Sequence, residues 1–410
     1  MIKLTIIILT LIGGLYGIVL NIVQHKSASN PTPENLKDVY DDETYATWKK
    51  YEAEHSRFAI ISSIITGVVM LTLLATDAYS AVAALFPAGE HAGLLSVIIF
   101  ATLVSTVFEI IESYVSNMVI EQKYGFNKTT GKTFIADRIR SFLLNLLLSI
   151  LICYAVYGFY SLVGIWMIPI FAGAMFCFSL VISFLYPILS RIGNKFVPLE
   201  EGELRESLES LLAKHGYKVK AIEVMDASKR TTKLNAYFTG FGKMKTIVLY
   251  DNLVNAMTPD EICAVFAHEL GHGLHKDVPK MQILNLINMA LMGTVAFLAV
   301  SMPELHTAFG FESVNYGFVY LLMGTGLGIV QPFMSLITNA RSRSAEYRAD
   351  RQAVSEGYGA AMISALKKLA RENFSHLSPS KINVVLEYSH PPLDRRVEEV
   401  GKAIKNEALK

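Results

Sequence analysis

The chain has 410 residues, a formal net charge of +1, 52% hydrophobic residues and only 18% charged residues. A soluble globular protein carries about a quarter charged residues, so this composition excludes an ordinary soluble domain. The balanced charge gives no reason to expect a nucleic-acid partner. The three cysteines form no CxxC pair, which excludes a disulfide framework and a CxxC metal site.

Seven apolar segments are long enough to cross a bilayer, which takes about 20 mostly apolar residues. The first segment could instead be a signal peptide, but its apolar stretch is long for one, and Lys3 is the only basic residue that precedes it. We therefore predict seven membrane spans at about Leu4–Gln24, Phe58–Tyr79, Gly93–Val115, Phe142–Tyr160, Val163–Leu189, Met281–Met302 and Tyr316–Ala340.

The connections between these spans alternate in charge. Three of them contain no Lys or Arg: 80–92, 161–162 and 303–315. Four segments are rich in both residues: 25–57, 116–141, 190–280 and 341–410. The positive-inside rule then predicts an outside or lumenal N-terminus, with all four basic segments and the C-terminus in the cytoplasm. Lys3 is a mild exception, because it is a basic residue at the end that the rule places outside.

The two large polar regions carry secondary-structure signals of their own. Region 190–280 predicts a helix in LEEGELRESLESLLAKHG, short strands in YKVKAIEVMD, LNAYFTGFG and KTIVLYD, and a second helix from TPDE (258–261). Thr258 would be the N-cap of that second helix, Pro259 its first residue and Glu261 the partner in a capping box. The tail predicts helices at about 344–373 and 393–408.

The second helix contains AVFAHELGHGLHKD, residues 264–277. His268 and His272 are four residues apart, so they share a helical face and can reach one metal ion. Glu269 can take a proton from a zinc-bound water as that water attacks a carbonyl. Gly271 lets another element pack closely. Because HExxH arises by chance in roughly one such chain in a hundred, an ordinary amphipathic helix stays open on this motif alone.

A catalytic zinc site needs a third protein ligand. The extended motif HExxHxxGxxH is absent, because His275 and Val278 stand where it requires Gly and His. Glu304 and Glu312 lie in a predicted outer loop, across the membrane from the motif helix. The first glutamate back on the cytoplasmic side is Glu346.

Asp350 follows Glu346 by four residues and shares its helical face. Its carboxylate can hold the far nitrogen of a ligand histidine, as carboxylates behind metal ligands do. Without the two histidines, Glu346 and Asp350 would be interpreted as a solvated helix face beside Arg343 and Arg348.

With these residues in place, the chain resembles the zinc-dependent CAAX prenyl endopeptidases, which are integral membrane metalloproteases. The resemblance extends over most of the chain, and the first 90 residues are its least diagnostic part. The stretches that carry it are HELGH, RSRSAEYRADRQA, YSHPPLDRRV (388–397), LNAYFTGFG followed by KTIVLYDNLV, VIEQKYGFNKTT (119–130) and NKFVPLEEGELRE.

The resemblance implies a mostly α membrane protein, in which seven helices form a barrel around a water-filled chamber and a cytoplasmic α+β zinc protease domain of the gluzincin type caps it. His268, His272 and Glu346 would bind one zinc ion per chain. Glu269 would be the general base, and Asp350 would support a ligand histidine. The chain would divide into a five-span region (1–189), the first part of the protease domain (190–280), spans six and seven (281–340) and the second part of the protease domain (341–410).

Three further roles come from the resemblance. Asn235 would hold substrate backbone beside an edge strand. His390 and Arg396 would stabilise the oxyanion near the scissile carbonyl. On the residues alone, Asn235 could be a turn residue, and His390 could mark a helix boundary before two prolines.

We therefore expect an integral membrane zinc endopeptidase that cleaves near the C-terminus of CAAX-type, prenylated proteins or peptides. One alternative is a quality-control metalloprotease that acts on unprenylated or misfolded membrane proteins. A second alternative, a scaffold without activity, is disfavoured by the complete set of catalytic residue types. The sequence leaves open the native substrate, the membrane (endoplasmic reticulum or bacterial inner membrane), the oligomeric state, with a monomer among the options, and the roles of Glu109 and Glu112.

Overall fold

The computed structural model describes residues 1–87, 89–191, 193–239 and 244–409, and most of them are helical. Fifteen α-helices lie in these ranges: α1 (Ile2–Ser27), α2 (Asp42–Ala75), α3 (Ala78–Ala84), α4 (Glu90–Ser113), α5 (Gly131–Val163), α6 (Met167–Leu189), α7 (Glu203–Lys214), α8 (Asp251–Ala256), α9 (Pro259–Leu274), α10 (Asp277–Ser301), α11 (Pro303–Thr307), α12 (Tyr316–Ser355), α13 (Gly359–Glu372), α14 (Lys381–Leu386) and α15 (Leu393–Glu407).

Six helical segments of the described chain are long and apolar enough to cross a membrane: Ile2–Ser27, Asp42–Ala75, Glu90–Glu121, Gly131–Leu189, Asp277–Ser301 and Tyr316–Ser355. The fourth segment has 59 residues and contains two helices, α5 and α6, separated by a short 3₁₀ turn at Gly164–Trp166. Gly164 has a φ of 55°, a conformation that glycine adopts readily, and α5 and α6 pack against each other. The seven predicted spans thus overlap these six segments, and the fourth and fifth predicted spans share one segment.

Some predicted boundaries were wrong. The second span ends at Ala75 and not at Tyr79, because Asp77 adopts a left-handed conformation with a φ of 56°. The helix predicted at 344–373 is two helices. Its first part continues the last membrane segment without a break in α12, and Gly357, with a φ of 91°, separates α12 from α13. The short helix α14 was not predicted.

The polar region 190–280 contains a four-stranded sheet of β1 (Phe196–Pro198), β2 (Lys218–Met225), β3 (Ala236–Thr239) and β4 (Met244–Tyr250), in the order β1-β2-β4-β3. Strands β2 and β4 are parallel, and the other two pairs are antiparallel. The strand β3 is therefore an edge strand. The part of its predicted stretch at 240–242 lies outside the described residues, and β1 was not predicted.

A shared apolar core fixes the motif helix on this sheet. Leu208 and Leu212 of α7, Ile247 and Leu249 of β4, and Phe266 of α9 are buried in one cluster. A separate cluster joins the membrane helices and includes buried residues of α4, α6, α10 and α12. The site therefore lies on a small α+β unit that is attached to the long apolar helices through α10 and α12.

Candidate active site

The motif helix α9 begins as the sequence predicted. The hydroxyl of Thr258 accepts a hydrogen bond from the backbone N–H of Glu261 at 3.3 Å, and the Glu261 carboxylate accepts one from the Thr258 N–H at 2.9 Å. This confirms the capping box. Glu261 also accepts hydrogen bonds from Ser364 and Lys368 of α13, both at 2.6 Å, so the cap docks α9 against α13.

The helix α12 approaches α9 at Gly271. A Cβ atom at this position would lie 2.9 Å from the Cα of Ala349 and 3.0 Å from the Cβ of Gln352. Such distances are below van der Waals contact, so only glycine allows this approach. The prediction that Gly271 permits close packing is confirmed, and the packing brings Glu346 to the histidines.

We expect Gly271→Ala to destabilise the protein by about 1–3 kcal/mol, because the added methyl group overpacks the contact between α9 and α12. The added methyl group should also push α12 away from α9, which would separate Glu346 from the histidines and weaken zinc binding. Thermal melting and a zinc titration against a competing chelator measure the two effects.

The matched control is Gly401→Ala in α15, where an added Cβ meets no atom within 4 Å. Alanine is favoured over glycine in a helix interior, so this control should be neutral or stabilising. A Gly271→Ala protein that melts and binds zinc like the control would contradict the packing argument.

The three predicted ligands lie together. His268 Nε2 is 3.5 Å from Glu346 Oε2, and His272 Nε2 is 3.3 Å from Glu346 Oε1. The candidate ligand atoms of the three residues all lie within 4.8 Å of one another. Two ligands of a tetrahedral zinc ion are about 3.4 Å apart, given zinc–ligand distances near 2.1 Å.

The chemistry of this donor set also fits zinc. Glu346 is 5% exposed, and its Oε2 has no hydrogen-bond partner among the described residues. A buried oxygen of this kind normally has a partner, and a cation satisfies it. Two imidazole nitrogens and one carboxylate are the ligands of many catalytic zinc sites, which keep a further position open.

Each histidine is oriented by a carboxylate on its other nitrogen. His268 Nδ1 is 2.9 Å from Asp350 Oδ1, and His272 Nδ1 is 3.1 Å from Asp277 Oδ2. Both Nε2 atoms are thereby left for the metal, as in most histidine metal sites. The structure brings Asp350 to the place that the sequence suggested, whereas sequence reasoning missed Asp277.

Two arginines hold these carboxylates in turn. Arg348 Nη2 donates to Asp277 Oδ1 at 2.7 Å. Arg396 donates to Asp350 through Nε at 2.9 Å and through Nη2 at 2.6 Å, and its Nη1 is 3.4 Å from Glu346 Oε2. The guanidinium of Arg396 therefore faces the carboxylates of the site. Its role at the oxyanion stays a prediction.

These carboxylates change the acidity of the histidines. Burial alone would lower the pKa of His268, but the carboxylates of Asp350 and Glu346 outweigh burial and raise that pKa to about 9. Burial also opposes the change at His272, where Glu346 and Asp277 still raise the pKa. In the metal-free protein these carboxylates favour the protonated form of both imidazoles, so a metal ion competes with protons for the histidines.

Glu269 and His390 lie at the same site. The Glu269 side chain is half-buried and makes no hydrogen bond to another described residue. Burial would lower the pKa of Arg396, but the surrounding carboxylates raise it; Asp350 contributes most, and Glu269 also contributes. His390 Nε2 is 3.4 Å from Glu346 Oε1, and its side chain is 64% exposed. One carboxylate and one imidazole are thus available to a reacting group beside the ligands.

Asn235 lies immediately before the edge strand β3. It is exposed, and its Oδ1 accepts a hydrogen bond from the N–H of Ala236 at 2.9 Å. Strand β3 pairs with β4 on one side and lies against α9. A free strand edge beside a motif helix is a place where an extended peptide can add to a sheet.

Two histidines on an HExxH helix and a glutamate from a second helix, joined to long apolar helices, define the class of membrane metallopeptidases. Two family models match the chain: Peptidase family M48 over residues 198–404, and CAAX prenyl protease N-terminal, five membrane helices, over residues 4–191. The chain belongs to peptidase family M48 and is a multi-pass integral membrane metalloendopeptidase.

Full-length relatives agree with this assignment. CAAX prenyl protease 1 homolog of Oryza sativa is 33% identical, over 94% of this chain and 93% of its own. CAAX prenyl protease 1 of Saccharomyces cerevisiae is 30% identical, over 91% and 89%. The crystal structure of S. mikatae Ste24p is similar with a TM-score of 0.87 at 29% identity, over 97% of this chain and 98% of that one.

Proposed function

We propose that this protein is a zinc endopeptidase that hydrolyses peptide bonds near the C-terminus of prenylated CAAX proteins. The observation that carries the proposal is the cluster of His268, His272 and Glu346 beside Glu269. The relatives named CAAX prenyl protease 1, which align over about nine-tenths of the chain, supply the substrate class. This function is favoured over the quality-control alternative, because the relatives described above are named as CAAX prenyl proteases.

One zinc ion per chain would be held by the two histidines and Glu346. When bound, zinc supplies a Lewis acid that polarises a carbonyl oxygen and lowers the pKa of water toward neutrality. Glu269 accepts a proton from the attacking water on its carboxylate and returns it to the leaving amine nitrogen. Asp350 and Asp277 keep the Nδ1 protons of the histidines in place.

The remaining residues would bind the substrate and its developing charge. The free edge of β3, with Asn235 at its start, holds the substrate backbone in an extended conformation. His390, which is exposed beside Glu346, donates a hydrogen bond to the carbonyl oxygen as that oxygen becomes negative. Arg396 contacts the carboxylates of Asp350 and Glu346. These contacts favour a role in which Arg396 holds the two carboxylates in place over one in which it binds the scissile carbonyl.

For the membrane arrangement we propose seven spans, with α5 and α6 crossing separately, arranged as a barrel around a chamber. The description of the matching N-terminal family as five membrane helices over residues 4–191 supports this count. The basic connections favour an outside N-terminus and a cytoplasmic active site and C-terminus. The protease domain would consist of residues 190–280 and 341–410.

A pair of peptides tests the function. One ends in a farnesylated CAAX sequence, and the other is identical but unprenylated. We expect the zinc-loaded protein to release the last three residues of the farnesylated peptide, measured by mass spectrometry. Glu269→Gln should release none. If folded, zinc-loaded protein cuts neither peptide but degrades an unfolded membrane protein, the quality-control alternative replaces this proposal.

A further inference from the structure

The short helix α14 ends four residues before His390, and side chains of another helix bind its carbonyl end. It has six residues, Lys381–Leu386, and Ser380 caps its start by accepting a hydrogen bond from the Ile382 N–H at 3.2 Å. The last carbonyl groups of any helix have no partner within the helix and need one elsewhere. In α14, side chains of the helix that carries Glu346 supply partners for three of those carbonyls.

Two side chains of α12, one turn apart, cap the end of α14. Arg343 Nη1 donates to the carbonyl oxygen of Val384 and to that of Tyr388, both at 2.7 Å. Asn339 Nδ2 donates to the carbonyl oxygen of Leu386 at 2.9 Å. A cationic donor at the carbonyl end of a helix is favourable both as a hydrogen bond and electrostatically.

This cap acts at a short distance from His390. Only Ser389 separates Tyr388 from His390, so the backbone between them spans at most about 7 Å. Two prolines follow His390, and they restrict its backbone to extended conformations. A carbonyl fixed on one side and two prolines on the other leave His390 little freedom in its position relative to Glu346.

The opposite side of α14 is held by α1. Asn383 is 1% exposed, and its Nδ2 donates to the carbonyl oxygen of Leu20 at 3.1 Å. The Tyr388 hydroxyl donates to Gln24 Oε1 at 3.3 Å. The contacts from α1 hold α14 in place, and the contacts from Arg343 tie it to the helix that bears the third ligand.

We propose that Arg343 is a positioning residue: by capping α14 and holding the Tyr388 carbonyl, it sets the imidazole of His390 against the site. This inference rests on the role of His390 in the proposed function. It differs from a general contribution to stability, because the effect of Arg343 on turnover must pass through His390.

The test is a double-mutant cycle of Arg343→Met and His390→Ala, with kcat, KM, zinc content and melting temperature measured for each protein. Arg343→Lys adds a conservative variant that keeps a cationic donor. Arg341→Met is the matched control, since Arg341 lies on the same helix, is exposed and makes no hydrogen bond or ion pair with other described residues.

We expect Arg343→Met to lower kcat about tenfold to 100-fold, the usual range for groups that orient a catalytic residue, with KM and zinc content little changed. Arg343→Lys should recover part of the loss. The double variant should be no slower than His390→Ala alone, because the two residues act as one unit. Arg341→Met should match the unmodified protein.

Losses that multiply in the double variant would overturn the proposal, as would an equal loss in Arg341→Met. If Arg343→Met does not fold, Asn339→Ala removes the neighbouring cap, and the same cycle with His390→Ala applies to it.

A second readout does not depend on the substrate. The rate of carbethoxylation of His390, followed by mass spectrometry, should change in Arg343→Met and not in Arg341→Met. If no CAAX peptide is cut, the proposed function fails while this rate still decides the inference. An unchanged rate rejects it.

Discussion

Replacing Glu269 by glutamine is expected to lower kcat by about a thousandfold, within the range that general base catalysis supplies, while zinc stays bound. Glutamine has nearly the same shape but cannot accept a proton. Glu269 is outside the ligand cluster and makes no hydrogen bond to another described residue, so the substitution leaves no partner unsatisfied. Turnover of a CAAX peptide, metal analysis and thermal melting measure the three parts of this prediction.

Asp260→Asn is the matched control for this experiment. Asp260 is an exposed carboxylate on the same helix, and its loss should change turnover little. Two results would oppose the assignment of Glu269 as general base: a Glu269→Gln protein that keeps more than a tenth of the activity, or one that is inactive only because it has lost zinc or its fold.

The second large effect is expected for Glu346→Gln, which should weaken zinc binding by more than about 100-fold, because loss of an orienting group behind a ligand already costs 10–100-fold. Both histidine Nε2 atoms and Arg396 face the Glu346 carboxylate, within 3.5 Å. The amide keeps the shape but removes the negative charge that balances them. Activity should disappear with the metal.

A zinc titration against a competing chelator measures this loss directly. Glu304→Gln and Glu312→Gln are the controls, because these two glutamates were excluded as ligands on topological grounds alone. Either control that loses zinc while Glu346→Gln keeps it would refute both the ligand assignment and the predicted orientation of the chain. Addition of excess zinc should restore part of the activity of Glu346→Gln if only affinity has changed.

The cluster of His268, His272 and Glu346 was predictable because its geometry follows from spacing. Residues four apart share a helical face, which places His268 with His272 and Glu346 with Asp350. Joining the two pairs required only that they lie on the same side of the membrane. Membrane helices were predictable for a similar reason, since about 20 apolar residues in a row have no other stable surroundings.

The residues that the sequence analysis missed depend on local backbone conformation and on contacts between segments far apart in the chain. Asp277 reaches His272 only because Lys276 adopts a left-handed conformation, with a φ of 53°, which is uncommon outside glycine. Arg343 and Arg348 had no role assigned from the sequence. Their partners are a carbonyl of α14 and the carboxylate of Asp277. No periodic pattern reports such partners.

The helix α12 contains both a membrane-span candidate and Glu346, the predicted third ligand. This helix has 40 residues. At 1.5 Å per residue, Glu346 lies about 45 Å along the axis from Tyr316, whereas the hydrocarbon layer is about 30 Å thick. A lipid mixture that tilts this helix as one unit, across Pro332 near its middle, would therefore also move Glu346. Bilayer thickness thus affects the height at which a substrate meets the residues of the ligand cluster.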